Sequence, residues 1–220
     1  MKNSVKILAT AMIALAFNTT NAQTTTTNSS TAGEAEFGVK GGFNLSNMYS
    51  ENADDENILY GFNAGVYTKF PLSDMISVQP ELYYTTKGSE LEYNNAFING
   101  SSKLRLDYIQ LPVMVKFNIG EHFNVHAGPY AAFLVGANVK SENDQDFFEV
   151  DEDLDTDDFE KFEFGLGAGV EFAFDPLTVG LRYDYGLTTV GKEQNFEGEN
   201  FTFPDAKNSL LNVYLTYKLN

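Results

Sequence analysis

The residues with the chemistry to do work are scattered ions: Lys40, Lys69, Glu81, Lys116, Glu171, Arg182, Asp184 and Lys218. Carboxylates such as Glu81, Glu171 and Asp184 are the types that carry general acid–base catalysis when they share a cleft that substrate can enter. The same carboxylates, alternating with Lys and Arg, equally suit mutual ion pairing. A second candidate is the run "SENDQDFFEVDEDLDTDDFE" (141–160), with eleven acids and no base. Asp151, Asp153, Asp155 and Asp157 recur at every second position, as oxygen ligands for a divalent cation do. A Ca²⁺ loop of the EF-hand type also needs Gly at its sixth position and Glu at its twelfth. Counted from Asp151, those positions hold Thr156 and Phe162, so a solvated acidic loop is the better reading.

A third candidate is the glycine string of "FEFGLGAGVEFAF" (162–174). A nucleotide loop is G-x-G-x-x-G at a strand-to-helix junction. Gly165, Gly167 and Gly169 instead fall inside strict alternation, with Phe162, Phe164, Leu166, Ala168, Val170, Phe172 and Phe174 between them. His122 and His126 lack the neighbours of a metal cluster, and no Ser-His-Asp signature stands out. The sequence therefore predicts no metal, no cofactor and no enzymatic activity.

The elements that position these residues are all strands. Lys2 and Lys6 precede the apolar run Ile7–Phe17, and Thr20-Asn21-Ala22 supplies a small residue before a cut. A run this short reads as a cleaved export signal over 1–22 rather than an anchor. Cleavage removes two lysines and no acid, taking the net charge from −17 to −19, which excludes nucleic acid as a partner. Residues 23–36 are a polar tail with nothing to bury. Cysteine is absent, so no disulfide staples the fold.

From Phe37 onward the period is two. Eight strands are expected, near 37–48, 60–70, 76–87, 103–119, 123–139, 159–174, 177–189 and 208–219. Their connections alternate between tight (Pro71–Met75, Gly120–His122, Asp175-Pro176) and long and polar (49–59, 88–102, 140–158, 190–207). Short turns at one end and long loops at the other are the habit of a transmembrane barrel. A frame change near Tyr108-Ile109 suggests a bulge in the fourth strand. Pro80, Pro112 and Pro129 each remove a ladder donor and call for local gaps in pairing.

Alternation does not itself say which face is inside. A soluble eight-stranded barrel puts its apolar set in the lumen, and its outer face should then be dense in Lys and Glu. Here the polar set is Gly, Asn, Thr, Gln and Tyr with few charges of both signs, and the apolar set is almost free of charge. That composition fits a crowded polar interior and a lipid-facing exterior, where a midplane Lys or Arg would cost about 2–4 kcal/mol. The fold expected is an all-β, eight-stranded antiparallel up-and-down transmembrane barrel over 37–220. Eight strands enclose only enough space for their own side chains, so the eight ions become a lumen network and an open porin is excluded. Tyr84, Tyr108, Tyr183, Tyr185, Tyr217, Phe70, Phe117, Phe123 and Phe174 are the candidates for an interfacial belt, since Trp is absent.

"GFNAGVYTKFPLSDMISVQPELYYTTKG" (61–88), "LDYIQLPVMVKFNI" (106–119), "HAGPYAAFLVG" (126–136) and "EFGLGAGVEFAF" (163–174) resemble the PorT-like outer-membrane β-barrel family of Bacteroidetes. The resemblance implies an outer-membrane location, outer-membrane lipid as the surrounding partner, and insertion by the barrel assembly machinery. The ending "TYKLN" departs from the aromatic last residue of many such barrels. The functional expectation is a monomeric barrel with a structural or interaction role, its long acidic loops offered to an extracellular or secretion-machine protein. An accessory part in a secretion machine, a soluble ligand-binding barrel and a lipid-modifying enzyme are the alternatives.

Overall fold

The computed structural model describes residues 33–49, 56–95, 98–143, 150–154, 156, 159–196, 199–203 and 206–220. The expected export signal, and the tail up to residue 32, lie outside the described residues. Among the described residues eleven strands follow one another: β1 (Glu36–Tyr49), β2 (Glu56–Pro71), β3 (Ile76–Asn95), β4 (Ile98–Ile119), β5 (Phe123–Asn143), β6 (Val150–Asp153), β7 (Phe162–Phe174), β8 (Leu177–Gly186), β9 (Lys192–Phe196), β10 (Glu199–Phe203) and β11 (Lys207–Lys218).

Eight of them close on themselves. β1, β2, β3, β4, β5, β7, β8 and β11 pair in that order, and β1 pairs antiparallel with β11 to seal the ring. Closure leaves the wall without a free edge, which a hydrocarbon surround requires. The seam carries an extra clasp at its short-turn end, where Phe37 N donates to Asn220 Oδ1 at 2.6 Å and Asn220 Nδ2 donates to Ala35 O at 3.1 Å.

The alternation decides the two faces. Phe43, Tyr60, Phe164, Leu166, Phe172, Leu215 and their row-mates point outward, while the Gly, Asn, Tyr and charged set points into the lumen. On β7 the glycines make room for bulk from neighbouring strands. A Cβ at Gly165 would strike the Tyr130 ring, and one at Gly169 the His126 ring.

Several boundaries differ from expectation. The stretches read as polar loops at 88–102 and 190–207 are partly strand: β3 and β4 continue as a ribbon to Asn95 and Ile98, and β9 and β10 form their own hairpin. Both stretches are polar in composition and carry no periodic apolar signal from which their pairing could be read. β1 begins at Glu36, inside the span taken as tail.

The bulge lies elsewhere too. β4 keeps one phase throughout, with Leu106, Tyr108, Gln110, Met114 and Lys116 all inward. The register slips between Asp107 and Tyr108 because β5 supplies the extra residue, with Gly136 opposite Asp107 and Leu134 opposite Tyr108. Tyr108 is accordingly interior and not part of the belt. The proline expectation matches the ladders, since pairing skips residues beside Pro80, Pro112 and Pro129. A further irregularity lies between Ile58 and Asn63. There side chains take over backbone partners: Thr86 Oγ1 accepts from Phe62 N at 2.9 Å, and Asn44 Nδ2 donates to Phe62 O and Thr86 O at 3.0 and 2.9 Å.

Candidate functional site: a paired lumen under an apolar plug

Among the described residues the lumen is where the fold concentrates buried ions, and their centre is Glu81. From β3 this carboxylate accepts from Lys40 on β1 at 2.8 Å and from Gln79 at 2.8 Å. Arg182 on β8 grips it with both terminal nitrogens, Nη2 to Oε2 at 3.0 Å and Nη1 to Oε1 at 3.2 Å. A two-point guanidinium–carboxylate grip fixes orientation as well as charge. Arg182 Nη2 also donates to the Tyr83 hydroxyl at 2.9 Å, and Arg182 Nε lies 3.5 Å from Asp184 Oδ1. Gln110 closes the group by donating to the Tyr83 hydroxyl at 2.8 Å and to Asp184 Oδ2 at 3.1 Å. The Lys40 ammonium sits 3.8 Å above the centre of the Tyr214 ring.

A second group stands nearer the short-turn end. Lys116 meets Glu171 at 2.6 Å, and the Tyr214 hydroxyl donates to the other oxygen of Glu171 at 2.6 Å. His126 Nε2 is 3.4 Å from that hydroxyl. A third group stands nearer the long loops. Lys87 meets Glu163 at 2.7 Å, Tyr130 donates to Glu163 at 2.6 Å, and Asn208 donates at 2.6 Å. The buried ions among the described residues are thus Lys40, Lys87, Lys116 and Arg182 against Glu81, Glu163, Glu171 and Asp184, a neutral set.

Of the eight ions singled out by sequence, the structure brings six into this interior. Lys69 and Lys218 stay at the short-turn rim, paired with Glu36 at 3.3 Å and Asp175 at 2.6 Å. At the rim water competes for them, and the polar face of a strand does not end where the lumen does. Lys87 is missing from that set of eight. Its signal was phase: as the last residue of the expected strand 76–87 it continues the inward series Glu81, Tyr83, Thr85.

Above the third group the lumen turns apolar. Met48, Leu106, Tyr108, Leu134 and Ala137 from the wall meet Phe159, Val190 and Ala206 from the long connections, with Leu154 packed against them. Backbone hydrogen bonds tie these connections to the wall and to each other: Leu154 N to Ala137 O at 2.9 Å, Glu160 N to Val190 O at 3.0 Å, and Val190 N to Ala206 O at 2.8 Å. The plug corrects the picture of a wholly polar interior. It also explains why β4 seemed to change frame, because Leu106 and Tyr108 are apolar yet inward.

Outside, the apolar row runs unbroken by charge along β7, β8 and β11, for example Leu177, Val179, Leu181 and Tyr183 on β8. A strand tilted across a bilayer needs about 9–11 residues, close to the length of these rows. Such a wall, aromatic at its short-turn rim through Phe70, Phe117, Phe174 and Tyr217, defines a membrane-spanning β-barrel with a filled lumen. Within that class, the sequence matches the model of the outer membrane protein beta-barrel domain over residues 21–191, and the chain belongs to that family. Similar solved structures include Ail, the attachment invasion locus protein of Yersinia pestis, with TM-score 0.47, 12% identity, and coverage of 85% of this chain and 100% of that one. Neisserial surface protein A gives TM-score 0.46 at 14% identity, covering 85% and 100%. OprG from Pseudomonas aeruginosa gives 0.41 at 9%, covering 84% and 96%. Among curated proteins none matches this sequence.

Proposed function

We propose that the chain is a closed, non-conducting outer-membrane barrel without enzymatic activity, whose long-loop end carries its structural or interaction role. The observation behind this is the lumen. Four buried cations and four buried anions hold one another in place, and an apolar plug lies above them. Ions committed to one another in this way are poorly disposed to bind substrate or to pass solute. The six sequence-predicted interior ions act, on this reading, as cross-struts of the wall.

Export by a signal cleaved after Ala22, insertion by the barrel assembly machinery and a monomeric state complete the proposal. The PorT-like resemblance of 61–88 and 106–119 favours a Bacteroidetes-type barrel. An accessory part in a secretion machine is the rival role, and co-purification with machine subunits would favour it. The test is conductance in a planar lipid bilayer after reconstitution of the full mature chain. The proposal expects no discrete current steps. Reproducible steps that vanish when the protein is omitted would overturn it.

A further inference from the structure

The lumen is short of hydrogen-bond donors. Ser77 Oγ, His126 Nδ1, Arg182 Nε and Asn212 Oδ1 are buried atoms with no hydrogen-bond partner within the protein, as are Asn63 Oδ1, Gln79 Oε1 and Gln110 Oε1. None of these residues is more than 3% exposed. The amide nitrogens of Asn63 and Asn212 already donate to Asn44 Oδ1, at 2.8 and 3.0 Å. Those of Gln79 and Gln110 donate to Glu81 and Asp184. The amide oxygens are what is left over. All seven atoms except Arg182 Nε can accept a hydrogen bond.

Strand register puts four of them in one line. Successive ladder partners from β3 round to β1 are Ser77, Lys116, His126, Gly169, Arg182, Asn212 and Asn44. Ser77 is the second residue of β3, beside a short turn. Asn44 lies in the middle of β1 and donates to Thr85 Oγ1 at 2.8 Å, one inward step below Lys87. The line thus climbs from the short-turn rim to the floor of the third ionic group. Asn63, bonded to Asn44, stands at its upper end. At the lower end Lys116, Asn124 and Thr216 keep slight contact with solvent, whereas the upper end lies beneath the plug.

Buried acceptors left unmet in this number would cost free energy comparable with the whole margin by which a domain is stable. A metal cation could meet several oxygens at once. The buried ions among the described residues already balance, however, four against four, so an added charge would stand uncompensated. Water is neutral, brings two donors, and can also accept from the Arg182 Nε–H. Folded proteins hold about one buried water per 27 residues, each bonded to about three polar groups, so several is the ordinary provision for a barrel of this size.

We infer that the lumen binds a thread of ordered water molecules that enters at the short-turn end, follows Ser77, His126, Arg182 and Asn212, and stops at Asn63. The barrel is then wetted from one side only. Solvent and protons reach the Glu81–Arg182 group from the short-turn end, and the long-loop end stays sealed. The inference rests on the closed-barrel reading only for where the thread stops.

The test is water-edited solid-state NMR on the full mature chain in lipid bilayers, which times the passage of polarisation from water protons to assigned groups. The His126 ring, the Arg182 Nε–H and the Asn63 and Asn212 amides should polarise as fast as the rim amide of Asn118. The plug amide of Leu134, which donates to Lys161 O at 2.8 Å, should be several-fold slower. Asn212→Leu removes the upper acceptor, so transfer to Asn63 should fall to the rate of Leu134 while His126 keeps its own. Heat-shifted electrophoretic mobility reports whether that variant is a folded barrel, and the wild-type spectrum decides the matter if it is not. Polarisation of His126, Arg182 and Asn63 no faster than that of Leu134 overturns the thread, as does unchanged transfer to Asn63 in the folded variant. A change at Asn63 and Asn212 on exchanging sodium for potassium overturns it in favour of a bound cation. Fast transfer to Leu134 as well would overturn the stopping point, and with it the closed-barrel reading, while the lower thread stands.

Discussion

Removing the Glu81 carboxylate charge is the sharpest perturbation of the interior. Glu81→Gln keeps the shape but leaves Lys40 and Arg182 facing each other, with Asp184 as the nearest remaining carboxylate to Arg182, at 3.5 Å from its Nε. Breaking a buried pair by deleting one partner costs about 3–5 kcal/mol, because the charge left behind is uncompensated. Two cations depend on Glu81 and one keeps a substitute, so a loss of about 3 kcal/mol is the expectation for this site. That is roughly a hundredfold fall in the folded-to-unfolded ratio. The assay is equilibrium urea unfolding in lipid vesicles, read by heat-modifiable mobility. The companion variant Lys40→Met, Glu81→Gln restores neutrality and should recover most of the loss, since an apolar replacement of a buried pair is often neutral. A single variant as stable as wild type would refute the reasoning, and so would a double variant no better than the single.

Other parts of the structure give separate expectations. Gly169→Val places branched carbons against the His126 ring and should cost about 1–3 kcal/mol in the same urea assay. Leu166→Arg, on the outward row, should cost about 2–4 kcal/mol in vesicles if that row meets the membrane core, while Lys69→Ala at the paired rim should change stability by about 1 kcal/mol or less. The absence of cysteine lets Leu106→Cys report on the plug. A bulky, membrane-impermeant thiol reagent should leave it unmodified, and should label it once Phe159→Asp is added.

Much of the wall was legible because hydrocarbon outside and polar packing inside impose opposite chemistry on successive residues. β7, β8 and β11 show this in pure form, and their outward rows could be read residue by residue. Legibility failed where that contrast lapses. Leu106 and Tyr108 look like lipid-facing residues but line a plug whose other half, Phe159 and Val190, comes from connections far along the chain. No local pattern announces that meeting. Lys87 closes the expected strand 76–87 in the inward phase, beside a stretch read as polar loop, while Lys69 and Lys218 share the polar phase but sit at the rim, because alternation carries no record of height in the barrel. The pairing partners were less legible still. Lys40 with Glu81, and Glu81 with Arg182, join residues 41 and 101 positions apart, fixed by strand register and stagger rather than by spacing.

The central claim is that the apolar face looks out into lipid and the ionic face looks in. The chain contains no Trp, so single Trp residues are clean reporters in bilayers with brominated acyl chains. Phe164→Trp, on the exposed row, should be strongly quenched, and Tyr214→Trp, facing the lumen and 1% exposed in the native chain, should be nearly unaffected. Quenching of the Tyr214→Trp reporter with protection of Phe164→Trp would contradict the account and turn the barrel inside out.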